Sequence, residues 1–157
     1  MTDRVLVIGY GNTLRTDDGA GRRIAERLAA DERLAGATVI QTHQLAPELA
    51  LDISAADVLV LVDAGSGPPP GSFTIQALQP AERPAATPWS HHLEPAGLVA
   101  LAGALYGHIP IVHLVTVGIE SVDVGDRVSP AVEAVLPRVV EAIAALVARP
   151  AASAPVA

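Results

Sequence analysis

The chain has 157 residues, a formal net charge of −7 and half of its residues hydrophobic, which fits one domain able to bury a full core. All ten basic residues are arginine and only four residues are aromatic; with no basic run, the electrostatic footprint of a nucleic-acid binder is missing. Cysteine is absent, which excludes disulfides, thiolate metal sites and cysteine nucleophiles.

Met1 to Arg4 lead straight into an apolar run, so no signal peptide fits there. The longest apolar stretches fall short of the ~20 residues that cross a bilayer. A cytoplasmic protein with no membrane partner is expected. The run VLVIGY (5–10) is β-branched and carries Gly9 at a turn completed by Gly11, and it reads as a buried parallel strand. A helix over 17–30 follows, with Thr16 as its N-cap and Ile24, Ala25 and Leu28 on its inner face. Next come a strand over 37–42 and a short helix, PELALDIS, opened by Pro47.

The aliphatic run 58–62 reads as a central strand ending at Asp63. After the turn-rich segment GSGPPPG (65–71), residues 72–78 alternate polar and apolar, as an edge or antiparallel strand does. A proline-bearing loop over 79–88 delivers Trp89 and Ser90-His91-His92 to a helix over 95–106. A strand over 111–119 and a loop to Arg127 lead to a final helix opened by Ser129-Pro130. Its apolar positions, Val132 to Val147, keep helical spacing, and Pro137 inside them is expected to kink it. The alternation predicts an α/β fold of three layers: a twisted, mostly parallel sheet of about five strands flanked by helices. Residues 1–149 are expected to form one domain, with 150–157 as a disordered tail.

Open α/β sheets keep their chemistry outside the carboxyl ends of the strands, and this chain places acids there. Asp17 and Asp18 sit where a helix begins; one of them suffices to satisfy free N–H groups, which leaves the other free to point across the strand ends. Asp63 ends the central strand, where it either caps the next turn or shares a site with Asp18. His91 and His92 precede a helix, and two carboxylates with one imidazole form a ligand set suited to Zn, Ni, Mn or Fe. His43, at the end of the second strand, is placed to reach the same edge, although it reads more readily as a satisfied loop histidine. Gly9-Tyr10-Gly11 invites a dinucleotide reading, but position 14 is Leu14 where the fingerprint needs glycine. Lysine is absent altogether, so there is no P-loop, and G-x-S-x-G is missing too. No nucleotide cofactor is expected.

In four blocks spread over residues 4–147 the chain resembles the nickel–iron hydrogenase maturation endopeptidases. The blocks are GYGNTLRTDDGAG (the family's G-x-G-N-x-L-x-x-D-(D/E)-G-x-G), HQLAPELA, VLVLVDA and SHHLEPAGLVALAGALYG. The resemblance implies a similar twisted sheet. It also implies an endopeptidase that removes a C-terminal extension from a hydrogenase large-subunit precursor after nickel has been inserted. It maps the acids that recognise the bound nickel onto Asp18 and Asp63. The histidine falls on His91 or His92, with His91 preferred because His-x-Leu matches His91 and Leu93. Nickel then arrives with the precursor. Asn12 is expected to bond the backbone of the turn, and Gly19 and Gly21 to allow close packing. No protein nucleophile stands out, so a non-hydrolytic metal-sensing or partner-docking α/β module is the alternative.

Overall fold

Aliphatic residues alternating along the strands set the architecture of the computed structural model, which describes residues 3–83 and 93–148. The strands are β1 (Val5–Tyr10), β2 (Thr38–Thr42), β3 (Val58–Gly65), β4 (Phe73–Ala77) and β5 (Ile111–Gly118). The helices are α1 (Ala20–Ala29), α2 (Leu49–Ser54), α3 (Pro95–Tyr106) and α4 (Pro130–Val147). The strands lie in the order β2-β1-β3-β5-β4, parallel except for β4, which pairs antiparallel with β5 at the edge.

Successive side chains of a strand point to opposite faces, and here both faces are buried. Val7, Val60, Val62, Val115 and Val117 pack with Ile24 and Leu28 of α1 and with Val132, Val135, Leu136, Val139 and Ile143 of α4. Leu6, Ile8, Leu59, Leu61 and Val112 face the other way, against Leu49 and Ile53 of α2 and Leu98, Val99 and Ala102 of α3. The predicted three-layer α/β fold is present.

The crossover from β1 through α1 runs to β2 on one side, and the crossover from β2 through α2 returns past β1 to β3. The connections therefore diverge between β1 and β3, the switch point where open sheets leave a crevice. β1 and β3 are paired in parallel from Val5↔Val58 to Gly9↔Val62, so the segments leaving their carboxyl ends emerge side by side.

The start of α1 departs from expectation. A 3-10 turn, Thr16–Gly19, precedes the α-helix, and Gly19 occupies the N-cap position without a side-chain bond. Thr16 is not the cap: it has φ +52° and its hydroxyl donates to the Asp123 carbonyl. α4 does begin as read, with Ser129 Oγ accepting from the Val132 N–H at 3.5 Å, and it continues through Pro137 as one element. Pro137 lies on the exposed side of α4, so the Glu133 carbonyl it leaves unbonded lies on the wet side of the helix. Among the described residues no helix is long and apolar enough to cross a membrane. The expected tail, 150–157, and Trp89, Ser90, His91 and His92 lie outside the described residues.

Two glycines bring α1 against the sheet. A Cβ on Gly21 would stand 2.3 Å from the Val62 carbonyl oxygen and 2.7 Å from that of Tyr10, and one on Gly9 would stand 2.2 Å from the Gly21 oxygen. These neighbours are backbone and cannot rotate away. Alanine at a helical glycine gains about 1 kcal/mol of propensity, whereas overpacking costs about 1–3 kcal/mol or more. Gly21→Ala is therefore expected to lower stability by roughly 2 kcal/mol, measured as a fall in the urea midpoint. An unchanged midpoint would show that α1 has room to move outward.

Candidate active site

The turn after β1 delivers two adjacent acids to different places. Asp17 is fully buried. Its carboxylate accepts from the Glu120 N–H at 2.8 Å, the Ser121 N–H at 3.1 Å, the Ser129 N–H at 2.6 Å and the Ser129 hydroxyl at 2.8 Å. Its own N–H donates to the Ser121 carbonyl at 3.0 Å. Burial alone would raise the Asp17 pKa, but these donors outweigh it and hold the carboxyl below its ordinary value. Asp17 is thus the structural member of the pair. It serves the start of α4 and the loop before it, not its own helix.

Asp18 turns the other way. One of its oxygens accepts from the Asn12 N–H at 2.9 Å, and the Asn12 side chain in turn accepts from the Leu14 N–H at 2.9 Å, as expected for a side chain that bonds its own turn. Asp18 and Asp63 line the same cleft of about 300 Å³, together with Tyr10, Asn12, Arg15, His43, Leu45 and Leu93. The cleft lies at the carboxyl ends of β1 and β3, on the switch point.

Asp63 is half-buried within the last residues of β3 and accepts from the following Ala64 N–H at 2.8 Å. The turn bond considered from sequence is therefore made, by one oxygen. Burial pushes the Asp63 carboxyl up. The Ala64 N–H and the nearby Tyr10 hydroxyl pull it down without prevailing, and the charges of Asp18 and Glu94 add to the rise. The Tyr10 hydroxyl is shut off from solvent and makes no hydrogen bond of good geometry. Burial first, and then the charge of Asp63, push its pKa upward, so Tyr10 stays neutral. Tyr10, His43 and Glu94 thus belong to the surroundings of the two acids; the sequence placed His43 within reach of this edge but gave Tyr10 and Glu94 no part. The signals were present: Tyr10 ends β1, His43 follows the last residue of β2, and Glu94 precedes the proline that opens α3.

His91 and His92, read as the third ligand, lie outside the described residues, and the described part of that loop reaches the cleft at Leu93. Among the described residues no three histidine or acidic side chains are grouped to hold a metal ion. A larger depression, about 810 Å³, lies between α1 and the start of α4. Arginines on its wall are already engaged, Arg23 with the Asp126 carbonyl at 2.7 Å and Arg27 with Glu133 at 3.0 Å. Size does not make it the site.

A parallel sheet with acids at its switch point defines an α/β enzyme-like fold, and comparison with solved structures narrows the class. The chain is similar to the hydrogenase maturating endopeptidase HybD from E. coli, with 27% identity, a TM-score of 0.71 and coverage of 96% of this chain and 99% of that one. An endopeptidase from Escherichia coli gives 28% identity and a TM-score of 0.68 over 89% of each chain. The hydrogenase maturation protease HycI from Thermococcus kodakarensis gives 22% identity and a TM-score of 0.73 over 94% of each chain. Scans against protein-family models and curated proteins give no match. The class is that of an α/β peptidase. Within that class the chain is similar in fold, and at 27–28% identity in sequence, to hydrogenase maturation endopeptidases.

Asp17 carries a pH dependence. Because its folded-state pKa lies below its unfolded value, it adds stability above the unfolded pKa, and that share is lost as pH falls through the folded one. Asp17→Asn replaces an all-acceptor group by one whose NH₂ faces donors, and is expected to cost about 2–4 kcal/mol near neutral pH. The gap from wild type should narrow below about pH 4. Chemical denaturation at both pH values checks it; a gap independent of pH would mean that the charge of Asp17 contributes nothing.

Proposed function

We propose that the protein removes the C-terminal extension of a hydrogenase large-subunit precursor after nickel has been inserted, and that Asp18, Asp63 and His91 receive that nickel. The observation that carries the reading is the acid pair at the switch point. Asp18 and Asp63 come from different strand ends, line one cleft, and repel each other where burial already disfavours charge on Asp63. A cation entering the cleft relieves both penalties at once. Oxygen donors with an imidazole suit a divalent ion such as nickel. His91 is preferred over His92 on the His-x-Leu pattern. Leu93, which ends that pattern, lines the cleft.

The neighbours' names support the activity: they are called hydrogenase maturating endopeptidase and maturation protease. The reaction is hydrolysis. Water adds to the scissile carbonyl, the C–N bond breaks, and the leaving nitrogen takes up a proton. In this reading nickel is part of the substrate, held by the precursor's own ligands before the enzyme engages it. Asp18 and Asp63 orient the loaded precursor so that the bond to be cut lies at the cleft.

The test is mass spectrometry of a large-subunit precursor incubated with the enzyme. Nickel-loaded precursor should lose mass at its C-terminus, whereas nickel-free precursor should remain whole even with excess enzyme. Cleavage of the nickel-free form in the presence of a chelator would overturn nickel recognition. Asp63→Asn keeps the size of the side chain and its bond to Ala64 but removes the charge. It is expected to reduce processing at least ~100-fold while leaving the thermal midpoint nearly unchanged. A variant that unfolds instead would assign Asp63 to the fold.

A further inference from the structure

We propose that the ledge beside the cleft, made of residues 13–16 and 119–125, is a docking surface for an apolar stretch of the substrate polypeptide next to the bond that is cut. The inference rests on the peptidase reading above and names what the enzyme holds besides the metal-bearing part of its substrate.

The two segments are far apart in sequence and closely laced. The Thr16 N–H donates to the Gly125 carbonyl at 3.1 Å, and the Gly125 N–H to the Leu14 carbonyl at 2.9 Å. Arg15 Nε donates to the Val122 carbonyl at 3.1 Å, and the Thr16 hydroxyl to that of Asp123. Beneath them the Asp17 carboxylate holds the N–H groups of Glu120 and Ser121. Backbone held this way is ordered before anything binds, so docking there forfeits little conformational entropy.

Three large apolar side chains stand out of this fixed backbone. Leu14 is 64% exposed, Val122 37% and Val124 92%. Apolar side chains scattered singly on a surface are ordinary, but several gathered on one ledge mark a contact surface. The ledge is continuous with the cleft: Asn12 and Arg15 line it, and the Asn12 N–H is bonded to Asp18. A polypeptide lying in the cleft advances about 3.3–3.6 Å per residue. A polypeptide that leaves the cleft on the Asn12 and Arg15 flank therefore passes next to Leu14 and the segment bonded to it. The other apolar group, Leu105, Tyr106, Ile109 and Ile111, lies at the end of α3 and the start of β5, at the opposite end of the strands from the cleft. It lacks this continuity.

The experiment uses the full chain and the nickel-loaded large-subunit precursor encoded in the same genome. A Leu14→Ser, Val124→Ser double variant is expected to raise KM about tenfold with kcat little changed, because the contact is made in ground and transition states alike. Leu14→Met, Val124→Ile should restore the wild-type KM. An unchanged KM in the serine variant, or a fall in kcat alone, would overturn the inference while leaving the peptidase reading intact. Wild-type enzyme that leaves the loaded precursor whole would overturn that reading itself. Should the double variant lose its fold, Val124→Thr alone, nearly isosteric, is expected to raise KM in the same direction; an unchanged KM there also overturns the inference.

Discussion

One buried carboxylate ties the two ends of the chain together. Asp17 follows the first strand, yet all four of its donors belong to the segment 120–129 near the start of the last helix. A buried charge without a cation is ordinarily expensive. Here its negative charge is shared among three backbone N–H groups and a hydroxyl, and it also meets the positive end of the α4 dipole at Ser129. Ser129 completes the relay by accepting from the Val132 N–H, so the start of α4 depends on the turn that starts α1. The Arg27–Glu133 ion pair between these helices is exposed on both sides and adds little to this.

With Asp17 fixed, the direction of Asp18 follows. In a 3-10 turn successive side chains are about 120° apart, so an acid anchored in the interior sends its neighbour outward. The close approach of α1 to β1 and β3, which Gly9 and Gly21 permit, then sets the height of Asp18 over the strand ends. Asp63 reaches the same cleft from the adjacent parallel strand. The acid pair thus arises from two local rules, strand pairing and 3-10 geometry, held together by one long-range bond network.

How much of this the sequence discloses depends on the range of the interaction. The aliphatic run of β3, the alternation of β4, and α3 with its proline start are local, and they appear where their residues put them. The start of α1 is different. Thr-Asp-Asp before a helix has the look of a cap followed by acids in the first turn, but Thr16 and Asp17 are both engaged by a loop more than a hundred residues on. No local pattern shows that competition. The positions of Asp18 and Asp63 were legible because a doubly wound sheet brings its switch-point strands together whatever the loops do. Tyr10 and Glu94 escaped because their part is electrostatic or positional and depends on which side chains happen to converge.

The acid pair also explains, on the proposed reading, why the metal would come with the substrate. Two carboxylates at the mouth of an open cleft, one already bonded to a backbone N–H and the other disfavoured by burial, are a poor trap for a free ion. An ion that arrives with its other ligands in place needs only the charge the cleft supplies. The polypeptide that carries it also converts the encounter into an intramolecular one, raising the effective concentration of metal at Asp18 and Asp63. A stronger site, with a full set of ligands on rigid elements, would fill with any divalent ion and lose the distinction between a loaded precursor and an empty one. On the proposed reading, a site completed only by the precursor's own ligands would make the choice of substrate depend on nickel.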